Sequence, residues 1–108
     1  MKKNTISIKN YDSIFNTKKI PIVIYGAGEA GNQVKNILEI YEKRKIIFFI
    51  DDDQNRVGTF LEGIKIISFK EFINFSNNYS SIDVIIAIPS LSHSKIKFLT
   101  RKLLRIHF

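Results

Sequence analysis

Gly26, Gly28 and Gly31, in the run Gly26-Ala27-Gly28-Glu29-Ala30-Gly31, make a turn whose backbone amides can meet an anion without help from side chains. In such a turn the first glycine permits the tight bend, the second lets backbone approach a pyrophosphate, and the third lets the following helix pack closely on the strand. An acid stands at the matching distance. Asp51 lies twenty residues after Gly31 and opens the cluster Asp51-Asp52-Asp53, where a carboxylate can accept hydrogen bonds from ribose hydroxyls. That placement favours NAD over NADP, because a 2′-phosphate would be repelled, although Arg56 could offset the repulsion. Glu29 works against binding. A carboxylate in the first helical turn suits the empty helix dipole but crowds a bound pyrophosphate.

Other chemistries are poorly supported. Asp51, Asp53, Asn55 and Glu62 fall at positions 1, 3, 5 and 12 of a calcium loop, yet Arg56 replaces the required glycine and a strand replaces the entering helix. Tyr41 and Lys45 have the Tyr-x-x-x-Lys spacing of short-chain dehydrogenases, but they end a helix at the edge away from the strand C-termini, where chemistry occurs. His93 and His107 have no second ligand at useful spacing, and cysteine is absent. Pro89-Ser90 follows the last strand and flanks the crevice between strands, so Ser90 and the nearby Ser92 are candidate donors to a phosphate or sugar. A turn with a helix cap explains them equally well.

The elements that position these residues follow from apolar patterning. Residues 20–25 are an uninterrupted apolar run and read as a central parallel strand. Glu29 to about Arg44 reads as a helix with Val34, Ile37, Leu38 and Tyr41 on its inner stripe. Residues 46–50 and 64–67 read as the second and third strands, with a loop through Gly58 and Gly63 between them. Ser68 and Glu71 have capping-box spacing for a short helix that buries Phe69, Phe72 and Ile73 and ends at Asn77-Asn78. Residues 82–88 read as the fourth strand, and a last helix runs from Ser92 or His93 to the C-terminus. The expected fold is α/β, a Rossmann-like three-layer sandwich with a parallel sheet of order 3-2-1-4. The second mononucleotide half, which would position a nicotinamide, is incomplete. Residues 1–19 form a lead-in that could hold a short strand or helix, and residues 20–108 form the nucleotide-binding domain.

With 108 residues, 44% hydrophobic and 25% charged, the chain fits one soluble domain. No apolar run reaches the roughly 20 residues of a membrane span, and no signal peptide opens it, so a cytoplasmic location is expected. The formal charge of +7 is concentrated partly in Lys95, Lys97, Arg101, Lys102 and Arg105. Without a nucleic-acid motif this reads as a solvated helix face, which leaves attraction to anionic lipid or a phosphorylated ligand open.

Residues 22–31, Phe49-Ile50-Asp51-Asp52-Asp53, Gly58, Gly63-Ile64-Lys65-Ile66 and residues 83–90 together resemble the amino-terminal Rossmann-like, or CoA-binding-like, domain of bacterial nucleoside-diphosphate-sugar epimerases and 4,6-dehydratases of polysaccharide biosynthesis. The resemblance spans about residues 20–105. It implies a domain that binds NAD(H), or NADP, or a nucleotide sugar through Gly26, Ala27, Gly28, Glu29, Ala30, Gly31, Asp51, Asp52, Pro89 and Ser90. It also implies a location at the cytosolic face of the inner membrane beside a membrane-anchored parent or partner, with self-association left open. The catalytic residues of that family have no counterpart, so the chain is expected not to be catalytic alone. A fragment, a truncated product and a free-standing short relative all fit. Two other readings stay open: a regulatory or interaction module with a vestigial glycine turn, and the nucleotide-sugar-binding head of an amino-sugar acyltransferase.

Overall fold

The computed structural model describes residues 5–8 (backbone only), 20–88 and 94–95. Its strands are β1 (Thr5–Ile8), β2 (Ile22–Tyr25), β3 (Ile46–Ile50), β4 (Phe60–Leu61), β5 (Ile64–Ile67) and β6 (Ser81–Ile86), and its helices are α1 (Glu29–Ile37) and α2 (Phe69–Ser76). The sheet order is β1-β6-β2-β3-β5-β4. Its centre, β5-β3-β2-β6, is the expected 3-2-1-4 arrangement, and all its pairings are parallel. Two strands extend it. The lead-in contributes β1, parallel to β6, and the loop expected before β5 contains β4, which pairs antiparallel with β5.

The chain moves from β2 to β3 through α1, then reverses and crosses from β5 to β6 through α2. With right-handed crossovers the reversal places the two helices on opposite faces. Alternating side chains accordingly fill two cores. Ile22, Ile24, Phe49 and Ile66 pack with Leu38 on the α1 side, while Val23, Tyr25, Ile50 and Ile67 pack with Phe72 on the α2 side. Burial on both faces is why β2 is apolar at every position.

Helix α2 begins as its sequence dictates. The Glu71 N–H donates to Ser68 Oγ at 3.1 Å and the Ser68 N–H donates to Glu71 Oε1 at 3.1 Å, so two end donors are satisfied reciprocally. Phe72 is fully buried, Phe69 and Ile73 partly.

Helix α1 differs from expectation in length and in facing. It stops at Ile37 and continues as a π-helical turn, Leu38–Glu42, closed by Lys43 in the left-handed region. Ile37 and Tyr41, expected inward, are 54% and 78% exposed. The cause lies at the start of the helix. Gly31 is held against the backbone of Gly26, which turns residues 31, 35 and 38 toward the sheet and rotates Ile37 and Tyr41 away. Lys35 therefore lies on the buried face. Its ammonium donates to Glu39 at 2.9 Å and to Glu62 at 3.4 Å, and Asn32 donates to Glu62 at 2.8 Å, which fastens the β4–β5 turn to the helix.

At the N-terminal end of the strands the Arg44 guanidinium donates to Asp83 Oδ2 at 2.7 Å and to the Ile20 carbonyl at 2.6 Å. Asp83 sits in β6 opposite Ile22, so this buried pair joins the entrances of β2, β3 and β6. Among the described residues no helix is long and apolar enough to cross a membrane.

Candidate functional site

A cleft of about 420 Å³ opens at the C-terminal ends of β2 and β6, lined by Tyr25, Gly26, Gly28, Glu29, Ala30, Asp51, Asp52, Arg56, Ala87 and Ile88. Neighbouring strands whose connections depart in opposite directions leave a crevice there. At its base the two sides are joined where the Ala87 N–H donates to the Tyr25 carbonyl at 2.8 Å, and the glycine turn is tied to β3 where the Gly26 N–H donates to the Ile50 carbonyl at 2.7 Å.

Each glycine has a distinct task. Gly26 has φ +121°, and a Cβ there would lie 2.5 Å from the Ala87 carbonyl oxygen, so only glycine makes this turn. Gly31 is outside the cleft, and a Cβ on it would run into the Gly26 carbonyl oxygen. Its role is close packing on the glycine turn. Gly28, the N-cap of α1, has φ −91°, a value open to any residue. A Cβ on it would meet only the Arg56 guanidinium, at 3.4 Å. Space above the backbone, not conformation, is what Gly28 supplies. Having no side chain, it also provides no cap for the first-turn amides of α1, which lack intrahelical partners by geometry.

Asp51 is the most firmly built group in the cleft. Its Oδ2 accepts from the Ala27 N–H at 2.9 Å and from Arg56 at 3.2 Å, and its Oδ1 accepts from the Asp53 N–H at 2.9 Å. Burial pushes its carboxyl up, but the two backbone N–H bonds and the Arg56 guanidinium outweigh burial and hold it below the usual carboxylate range. It is charged throughout the neutral range. The stabilisation these bonds supply is complete above the ordinary carboxyl pKa and is lost as pH falls through the lowered one. A carboxylate has about four acceptor positions, so one remains.

Beside it, the Tyr25 hydroxyl donates to Asp52 Oδ1 at 2.8 Å. Burial, the Asp52 bond and the nearby carboxylates push the Tyr25 phenol well above its ordinary range, so it acts as a neutral donor. Tyr25 is the last residue of the apolar run that makes β2, where patterning alone gives it only a core role. The residue just before the first glycine lies at the mouth of the turn, and that was the available signal.

Of the ten sequence-predicted site residues, Gly26, Gly28, Glu29, Ala30, Asp51 and Asp52 line the cleft. Ala27 serves through its N–H and Gly31 through packing. Pro89 and Ser90, and with them Ser92, lie outside the described residues; Ala87 and Ile88, just before them, form the β6 side of the cleft. Tyr41 lies beyond α1 in the π-helical turn, on the strands' N-terminal side. Glu62 is engaged with Asn32 and Lys35, away from Asp51.

The N-terminal domain model of the C2185-like family matches residues 17–98. The crystal structure of UDP-D-quinovosamine 4-dehydrogenase from Vibrio fischeri is similar to this chain, with a TM-score of 0.73 and 34% identity over 82% of this chain and 73% of that one. A comparison with curated proteins finds no match.

Proposed function

The chain belongs to the C2185-like family, as its N-terminal domain, and from that premise we propose that it is a nucleotide-binding Rossmann domain serving nucleoside-diphosphate-sugar epimerase or dehydratase chemistry in polysaccharide biosynthesis, without catalysing that chemistry alone. The observation that carries this reading is Asp51, fixed by the Ala27 N–H of the glycine turn with an acceptor position to spare. The carboxylate suits ribose hydroxyls. The amides of Gly28, Glu29 and Ala30 suit a diphosphate at the helix N-terminus. The ligand is NAD(H) or a nucleotide sugar, and the likeness to a UDP-sugar 4-dehydrogenase supports the second.

Titration calorimetry with NAD, NADP, UDP-sugars and CoA tests the proposal. Binding of at least one dinucleotide or UDP-sugar is expected, and Asp51→Ala should weaken it about tenfold to a hundredfold, the worth of one to two hydrogen bonds to a charged group. Silence from all four ligands at millimolar concentration would remove the reading. Gly28→Val is expected to fold like the parent and to lose the ligand, because the added side chain fills the diphosphate's place. Unchanged affinity in that variant would make the glycine turn structural only.

One observation favours the interaction-module reading. Glu29, Asp51 and Asp52 put three carboxylates around the cleft, an arrangement that opposes an anionic ligand. The same titration separates the two.

A further inference from the structure

Arg56 is the single cationic side chain among the described residues lining the cleft, and its position is built by the loop that carries it. The N–H groups of Arg56 and Val57 donate to the Asp53 carbonyl at 2.9 and 3.1 Å, the N–H of Asn55 donates to Asp53 Oδ1 at 2.9 Å, and Thr59 donates to the Arg56 carbonyl through both its N–H and its hydroxyl. The Gly58 N–H then donates to the Ile66 carbonyl at 2.9 Å, tying the loop to β5. From this fixed backbone the side chain turns back. Its Nη1 lies 3.2 Å from Asp51 Oδ2 and its Nε 3.8 Å from Asp53 Oδ2. The two terminal nitrogens lie 3.4 and 4.0 Å from the point where a Gly28 Cβ would be, which is the space that Gly28 keeps open for a diphosphate.

We infer that Arg56 is the residue that makes this cleft select phosphorylated ligands: it pairs with Asp51 in the empty site and transfers to the diphosphate when a nucleotide enters. The inference rests on the nucleotide-binding reading above. A diphosphate over Gly28 would face the carboxylates of Glu29, Asp51 and Asp52, against which the α1 terminus offers only about half a positive charge. Arg56 supplies the missing cation. Its guanidinium is 47% exposed at the side chain, so breaking an ion pair in contact with water costs little, while pairing with a phosphate is bidentate and charge-assisted. The transfer also releases Asp51 Oδ2. Asp51 then has two acceptor positions for the two ribose hydroxyls. This role differs from reading a 2′-phosphate, because both terminal nitrogens of the guanidinium lie within 4.0 Å of the point above Gly28.

The test compares the parent with Arg56→Ala and Arg56→Lys, using ADP, UDP, NAD and NADP beside adenosine and uridine, with binding followed by NMR titration and folding by thermal melts. Arg56→Ala is expected to weaken ADP or UDP about tenfold to a hundredfold, to leave the matching nucleoside within about twofold, and to flatten the salt dependence of diphosphate binding. Arg56→Lys should recover part of the loss. Equal diphosphate affinity in parent and Arg56→Ala overturns the inference and leaves the nucleotide reading standing, as does a loss confined to NADP. A parent that binds none of the six, and no UDP-sugar, overturns both.

Discussion

Replacing Gly31 by alanine is expected to cost the domain about 4 kcal/mol or more, in the range reserved for changes that the structure cannot absorb. The added Cβ would run into the Gly26 carbonyl oxygen, and neither partner can step aside. Gly26 is fixed by φ +121° and by its N–H bond to Ile50, while α1 is fixed by Leu38 in the core and by the Lys35 and Glu62 link to the β4–β5 turn. Relief requires lifting the helix from the sheet. A rigid displacement of that kind sacrifices burial along the whole α1 face, which is why one methyl group costs more here than usual overpacking. Urea unfolding of Gly31→Ala beside Gly28→Ala reads the result directly. The Gly28 variant should lie within about 1 kcal/mol of the parent, since its backbone is unstrained and N-cap preferences are modest. Comparable stability for Gly31→Ala and the parent would mean that α1 does not approach the glycine turn as closely as described.

That contact also explains what could and could not be read from the sequence. The central strands were legible because apolar runs of four to six residues between polar segments have few other uses, and β3 and β5 fall on the residues expected. The capping box was legible because both partners are local. The facing of α1 was not. Periodicity counts apolar residues, whereas the rotation of this helix is set by one tertiary contact at Gly31, strong enough to put Lys35 on the inner face and Tyr41 in water. Strand β4 was hidden for a different reason. Its two-residue turn, Glu62-Gly63, has positive φ at both positions, as a tight hairpin requires, but glutamate at the first of them lacks the signal of asparagine or aspartate there.

The cleft divides along the same line. Gly26, Gly28 and Asp51 were legible because their tasks belong to backbone and spacing. The direction in which Arg56 points depends on several loop hydrogen bonds that no spacing rule encodes. Its spacing suggests at most a 2′-phosphate partner, and the folded loop lays it over Gly28.

The other large effect is expected far from the cleft, at the pair between Arg44 and Asp83. Their side chains are only 14% and 6% exposed, and the Arg44 guanidinium lies 2.7 Å from Asp83 Oδ2. Truncating one member of a buried pair leaves the other charged and desolvated, so Asp83→Ala is expected to lower stability by about 3–5 kcal/mol. Replacing both charges together is a different perturbation. Arg44→Met with Asp83→Leu removes the desolvation penalty along with the attraction and should recover most of the loss, although the bond from Arg44 to the Ile20 carbonyl is still forfeited. Chemical denaturation of the two single variants and the double variant measures the coupling between them. A cost below about 1 kcal/mol for Asp83→Ala would show that the pair is hydrated and dispensable. Asp83 pairs with Ile22 at the entrance of β2, whereas the cleft opens beyond Tyr25 at its exit. The double variant should therefore bind nucleotide as the parent does, so that whatever Arg56→Ala and Asp51→Ala do to affinity can be separated from a general loosening of the sheet.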